Sequence, residues 1–350
     1  MRKYNYIDLT KIIAMFLVIL CHSLLFFSGS PYWLLNAEYK NNVAIFLCNI
    51  LNDTVVPLFV FCAGFLFQLS MRKKEINTGA TILKRARRLL IPYFVYRLIW
   101  LVPTYSLFDI PAYGRPEGSS LIYGYKAVLL GQFNDVSWFL IMLFWVSVIW
   151  IVLRRFLEKD RLMIGAVIAV VLFFATHNLL ADIHYYALDQ IDIYIVIFFV
   201  GASFYFITDK IYTWSTRILL LISISGILVC SMLAQYGAVH YWIYSVVAIM
   251  MPVLMVIFTM GLCKFNFRSC MENSPIYKWL LKHNMDIYLM QAPGMYLTFM
   301  IFYPMVGRYC FLCVGICYIS TIAIDFIIVL LLTYIRNAFM RSYKTLRKAE

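Results

Sequence analysis

The stretch IDLTKIIAMFLVILCHSLLFF, Ile7 to Phe27, decides the fold. As one helix it is long enough to cross about 30 Å of hydrocarbon. It nevertheless carries two side chains that lipid excludes, Lys11 near its start and His22 near its end. They lie eleven residues apart, about three helical turns. Both therefore project from one face, about 16 Å apart along the axis. Ionisable groups in a spanning helix face a protein interior or a water-filled cavity. The segment thus predicts a bundle around itself, with a cation toward one mouth of a cavity and an imidazole toward the other. The structural alternative is a Lys11 that snorkels to the headgroups and a His22 satisfied in the interior.

Composition points the same way. The chain of 350 residues is 63% hydrophobic and 13% charged, with mean hydropathy +0.82. A soluble domain of that size needs far more polar surface. The net charge of +13 would suggest nucleic acid in a soluble protein; in a membrane protein it is loop charge on the cytoplasmic side. The first segment follows only MRKYN and lacks an A-x-A-like cleavage site, which favours a retained span over a removed signal peptide. Cys310, Cys313 and Cys317 have helical spacing but no histidine or acid among them. They read as small buried apolar residues, and no metal site is expected.

Outward from Ile7–Phe27, apolar runs at 7–27, 44–70, 89–108, 136–153, 162–181, 191–207, 214–234, 242–262, 276–302 and 309–334 predict about ten spans. The sixth is short, and Pro293 interrupts the ninth. The stretch 121–133 is less apolar and fits an interfacial helix or a re-entrant piece. With the N-terminus cytoplasmic, every Lys and Arg except Lys40, Arg97, Arg115, Lys126 and Arg308 falls on an inner segment. That bias predicts two cytoplasmic termini and an even number of spans. The expected fold is an all-α, polytopic transmembrane helical bundle. It comprises a membrane-embedded domain over 1–335 and a basic amphipathic tail over 336–350 on the anionic inner leaflet. Tyr32, Trp33, Tyr113, Tyr185 and Tyr186 in the outer loops fit interface anchors, or platforms for sugar rings.

Several further stretches carry chemistry. In KRARRLLIPY, Lys84 to Tyr93, Arg85 and Arg88 share a helix face, and Pro92 is expected to kink or restart the helix. Paired guanidiniums bind phosphate bidentately; the plain alternative is positive-inside charge. In VVPLFVFCAGF, Val55 to Phe65, Pro57 and Gly64 need compensating neighbours, and Gly64 permits close helix approach. Asn52 and Asp53 lie at the depth of His22, where either could orient it. VSWFLIMLFW begins with Trp138 close to an interface, and DIYLMQAP places Gln291 in the upper part of the ninth span. Asp325 is a further intramembrane acid that needs a partner or a cavity. His177, His184, His240 and His283 lack a sharp spacing and read as structural. There is no H-E-x-x-H, G-x-S-x-G or P-loop.

In their order and spacing these stretches resemble the acyltransferase-3 family of integral-membrane acyltransferases. Lys11 and His22 match its basic residue, ten residues, then histidine, with lysine where arginine is commoner. VPLFVFCAGF resembles its V-P-x-F-F-x-x-S-G, with Ala63 at the usual serine. Arg85, Arg88, Pro92 and Tyr93 match its R-x-x-R and P-Y. SWFL resembles its W-F/Y-L, and IFFVGA, Ile197 to Ala202, its F-x-x-G. DIYLMQAP resembles I-Y-L-x-H with Gln291 in place of histidine.

The resemblance implies a cytoplasmic acyl donor, usually acetyl-CoA as co-substrate with no bound cofactor. It implies a hydroxyl acceptor on the outer side, typically on a surface or exported polysaccharide. On it, Arg85 and Arg88 are expected to hold the donor's phosphates, with Lys11 assisting or lining the channel. His22 is expected to be general base, its ordinary pKa of about 6.5 suiting proton transfer, or else to form an acyl-histidine. Asn52, Asp53, Trp138, Gln291 and Asp325 are supporting candidates. The expected setting is the bacterial cytoplasmic membrane, with no nucleic-acid partner. A transporter or flippase for polysaccharide, lipid-linked sugar or amino acid fits the same ionisable residues, and a membrane scaffold would leave all of them dispensable. The acceptor, the acyl group and the oligomeric state are not legible in the sequence.

Overall fold

The computed structural model describes residues 4–29, 36–71, 77–109, 120–132, 136–237, 240–265 and 274–349, with side chains of the last helix as far as Arg336. Regular structure among these residues is all helical. The chain runs through α1 (Asn5–Leu25), α2 (Asn42–Met71) and α3 (Thr78–Val95). A π-helical segment, Tyr96–Leu101, leads into α4 (Val102–Leu107). Then come α5 (Leu121–Leu129), α6 (Trp138–Val152), α7 (Leu162–Leu180), α8 (Asp192–Phe204), α9 (Thr208–Thr213), α10 (Thr216–Gly237), α11 (Tyr241–Lys264), α12 (Pro275–Val306) and α13 (Cys310–Ala349).

Each of the ten apolar runs centres on helix. Six helices, α1, α2, α7, α10, α11 and α13, are by themselves long and apolar enough to cross a membrane. The others depart from that pattern for physical reasons. α6 and α8 are apolar but have only 15 and 13 residues. α12 is long, yet its first half carries Lys278, Lys282, His283 and Asp286. The third run is assembled from α3, the π segment and α4. The helix does not restart at Pro92, as expected from the sequence; it continues to Val95 and opens into π geometry at Tyr96. There the Tyr96 amide reaches the carbonyls of Pro92 and Tyr93. The widened turns lie just before Pro103, whose missing N–H and ring fall on the carbonyl of Ile99 within the segment. The piece at 121–133 contains the short helix α5, with Leu121, Ile122, Tyr123 and Leu129 exposed.

α1 sits at the centre, packed against α2, α11, α12 and α13. α1, α2 and α11 bury 61%, 61% and 67% of their apolar windows within protein, while α7, α10 and α13 bury 17%, 22% and 28%. The first set is therefore the core, and the second presents side chains such as Met163, Val167 and Val171 outward. α2 and α8 cross in backbone contact. A methyl on Gly64 would collide with the Phe198 carbonyl, and one on Gly201 with the Phe61 carbonyl. VPLFVFCAGF and IFFVGA thus meet in one reciprocal crossing that only glycine permits.

Hydrogen bonds define two ends. At the Asn5 end Tyr6 and Thr208 share hydroxyls at 2.7 Å, Arg154 donates to Thr78 Oγ1, and Lys264 donates to the Trp214 carbonyl. At the Leu25 end the Ala37 amide donates to the Phe26 carbonyl at 2.7 Å, and Tyr39 donates to the Gly307 carbonyl at 2.6 Å. There too, the Tyr186 hydroxyl donates to the Leu129 carbonyl. Tyr186 is therefore a loop clamp, while Tyr185 is exposed. Tyr32, Trp33 and Tyr113 lie outside the described residues.

Candidate active site

α1 and α12 run side by side in parallel. The Asn284 side chain donates to the Lys11 carbonyl at 3.0 Å, Ser23 reaches the Met295 sulfur at 3.8 Å, and Phe26 stacks on Phe299 at 3.9 Å. This register brings Gln291 to His22, and the two side chains interact. Cys21 and Ser23 on either side are buried. His22 lies deep within protein yet keeps part of its surface accessible. Its Nδ1 is closed off from solvent. The residue standing where the resemblance expects histidine is thus the one that faces the imidazole.

Asp325 lies one turn farther along this face. It is fully buried in α13, and its carboxyl oxygen lies 3.6 Å from a methyl placed on Gly294. Among the described residues neither of its oxygens has a hydrogen-bond partner. Thr298 and Thr321, also buried, share hydroxyls at 3.4 Å beside it. Buried polar groups are costly in a membrane interior, so His22 with Gln291, and Asp325 beside them, form a polar cluster between α1, α12 and α13.

Asp53 is buried in α2 and bonded to the exposed Asn52. Its electrostatic neighbours are Tyr194, Tyr244 and Cys21. Asp53 therefore sits beside the residue next to His22, on the side of α1 facing α8 and α11. Trp138 packs on Tyr194 at 6.0 Å, within this same tyrosine cluster.

At the Asn5 end Lys11 is held by Asp8 at 2.9 Å. Arg85 is half-buried over the Phe67 ring at 5.7 Å, and Arg88 is exposed. Burial, and then the charge of Arg88, pull the Arg85 guanidinium down to about 10. Two adjacent cations whose charges oppose each other form a receptive site for an anion. Cys62 senses the charge of Lys11 and precedes Phe67 by five residues on α2. Lys11 thus lies near Cys62 and Arg85 over Phe67, points of α2 about 7.5 Å apart along its axis.

Arg97 is the buried charge that sequence reasoning passed over. It lies in the π segment and is 1% exposed. Its Nε donates to Ser137 Oγ at 2.7 Å, and its guanidinium covers the Tyr93 ring at 4.2 Å. The preceding residue, Val136, accepts a hydrogen bond from Tyr288, one turn before Gln291. The available signal was a lone arginine inside an apolar run. The other histidines are also better placed than their spacing suggested. His177, His184 and His283 each pair with an aspartate, Asp192, Asp189 and Asp286, at 2.9, 3.0 and 2.8 Å.

The acyltransferase-3 family model, described as an acyltransferase domain, matches residues 4–325. The chain belongs to the acyltransferase-3 family. This makes it a membrane acyltransferase, and the match takes in every element of the site from α1 to Asp325. No curated protein and no solved structure matches the chain. Within the family frame, the two ends of the bundle separate a pair of guanidiniums from a histidine with its amide partner.

Proposed function

We propose that this acyltransferase moves an acyl group, acetyl in the simplest case, from a cytoplasmic acyl-CoA to a hydroxyl of an extracytoplasmic carbohydrate. The carbohydrate is a surface polysaccharide or its precursor, and the setting is the bacterial cytoplasmic membrane. The protein crosses it about ten times with both termini inside; residues 1–335 form the embedded domain and 336–350 a tail on the inner leaflet. The observation that carries this reading is His22, an enclosed imidazole beside Gln291 on the central helix of a family acyltransferase.

Arg85 and Arg88 hold the donor's phosphates, which relieve the repulsion between the two cations. Lys11, steadied by Asp8, stands on the route toward His22. With Nδ1 closed off, Nε2 of His22 takes the proton of the acceptor hydroxyl. The freed oxygen attacks the thioester carbonyl, and a tetrahedral adduct forms. The C–S bond then breaks, and the imidazolium returns its proton to the departing thiolate. Gln291 orients the imidazole. An acyl-histidine is the other route through the same residue.

The test uses radiolabelled acetyl-CoA with membranes containing the wild type or His22→Ala, and follows label into the surface polysaccharide of a matched host. Label that depends on His22 is expected. Equal labelling in both would remove His22 from the chemistry. A donor-dependent acyl mark on His22, located by mass spectrometry, would replace the base role by the covalent one.

A further inference from the structure

We propose that His177, Asp192 and Tyr241, with the exposed ring of Trp242 and with Phe173 packed beneath, form a binding site for a saccharide ring at the Leu25 end of the bundle. Naming that saccharide as the acceptor rests on the acyl-transfer reading; the binding itself does not. Three helix ends build the site: His177 near the end of α7, Asp192 at the start of α8 and Tyr241 at the start of α11. Asp192 Oδ1 accepts from the Ile193 amide at 2.7 Å. Its Oδ2 accepts from the Tyr241 hydroxyl at 2.6 Å and lies 2.9 Å from His177 Nδ1. With Nδ1 engaged by the carboxylate, Nε2 is the ring nitrogen left for a ligand hydroxyl. The His177 side chain is 44% exposed, so this nitrogen is offered to a ligand.

Beside it three rings stack on one another, with Phe173 buried. His177 and Tyr241 lie 4.7 Å apart at 24°, Phe173 and His177 6.0 Å apart at 12°, and Phe173 and Tyr241 6.2 Å apart at 12°. Trp242 borders Phe173 at 6.2 Å and is 61% exposed. A sugar ring presents an apolar C–H face and a rim of hydroxyls, and this site offers aromatic faces beside fixed hydrogen-bonding atoms. An anion would meet the Asp192 carboxylate instead. An aromatic anchor for the membrane interface needs rings alone; it gives no reason for an imidazole fixed by a buried carboxylate. One turn along α11, Tyr244 pairs with Tyr194 of α8. Both sense Asp53, which in turn neighbours Cys21 beside His22. A series of buried polar groups therefore runs from the rim toward α1.

The experiment measures binding of radiolabelled neutral disaccharides, built from hexose or N-acetylhexosamine, to the full chain in lipid nanodiscs. Saturable binding of at least one is expected, weakened tenfold or more by His177→Gln and by Trp242→Leu. Both variants alter exposed side chains, so they decide the matter even where Asp192→Asn fails to fold. Binding by none of the disaccharides, binding unchanged in both variants, or displacement by inorganic phosphate would overturn the proposal. Acetyl transfer is followed separately in the same preparations. Binding that depends on His177 without any transfer from acetyl-CoA would defeat the acyl-transfer reading alone. Transfer with an unaltered acceptor requirement in His177→Gln would overturn the naming of the bound saccharide as the acceptor.

Discussion

At the scale of single residues, the account turns on which side chains meet. General acid–base catalysis contributes about 10²–10⁴-fold, so His22→Ala is expected to lose acyl transfer by that factor with the protein still folded. Gln291→Leu removes one polar contact to the imidazole, worth about 1 kcal/mol net, and should cost kcat/KM several-fold. Gln291→His should keep most activity, because it restores a polar partner at the same place. Initial-rate measurements with a common acceptor check both. Arg97→Met should lower stability by about 2 kcal/mol through loss of a charged hydrogen bond to Ser137. Arg97→Lys should not restore it, since an ammonium lacks the flat face that covers Tyr93; thermal unfolding in detergent decides.

The register of Lys11 and His22 was legible because spacing along one helix fixes a shared face. The neighbourhood of His22 was not, because Gln291 reaches it from a helix more than 250 residues away; only the I-Y-L-x-H resemblance hinted at it. The Asp192 cluster was less legible still. Its partners stand 15 and 49 residues distant on two other helices, and nothing in local spacing joins them.

At the scale of helices, α3 carries a testable pH dependence. The Arg85 guanidinium is pulled down to about 10 by burial and by Arg88. A lowered pKa means the cation is fully present at neutral pH and is lost as pH rises through 10. The donor KM is therefore expected to rise between about pH 9 and 10.5, and Arg88→Gln, which removes the repulsion, should move that rise upward. A donor KM flat across this range would separate Arg85 from donor binding. The empty protein bears the repulsion and a bound anion relieves it. CoA at 100 times its Kd should therefore add about 2.7 kcal/mol of stability.

The crossing of α2 and α8 gives a second prediction. Gly64→Ala or Gly201→Ala forces a methyl against a carbonyl of the partner helix, with overpacking costs of about 1–3 kcal/mol. The V-P-x-F-F-x-x-S-G resemblance marked Gly64, but its contact with IFFVGA required the fold. The π segment after Pro92 was also hidden. Proline announces a disturbance, and the sequence does not say whether the helix breaks, kinks or widens.

At the scale of the whole molecule, composition alone identified a helical membrane protein, and the apolar runs located its helices. Counting spans was harder, since α6 and α8 are short and α12 and α3 mix charge with apolar length. The basic segments predict which end faces the cytoplasm: a cysteine placed at exposed Tyr185 should react with an impermeant maleimide in intact cells, while one at Arg88 should not. The described native cysteines are buried, so background labelling should be low.

The central claim is that a donor entering at the Arg85 end delivers its acyl group at His22, across the bilayer. The most direct measurement uses the protein in sealed vesicles of one orientation, with labelled acetyl-CoA supplied only on the Arg85 side and the acceptor glycan only on the His22 side. The account predicts labelled glycan that disappears with His22→Ala and falls steeply with Arg85→Gln. Label appearing only when donor and acceptor share a side, or persisting without His22, would contradict it.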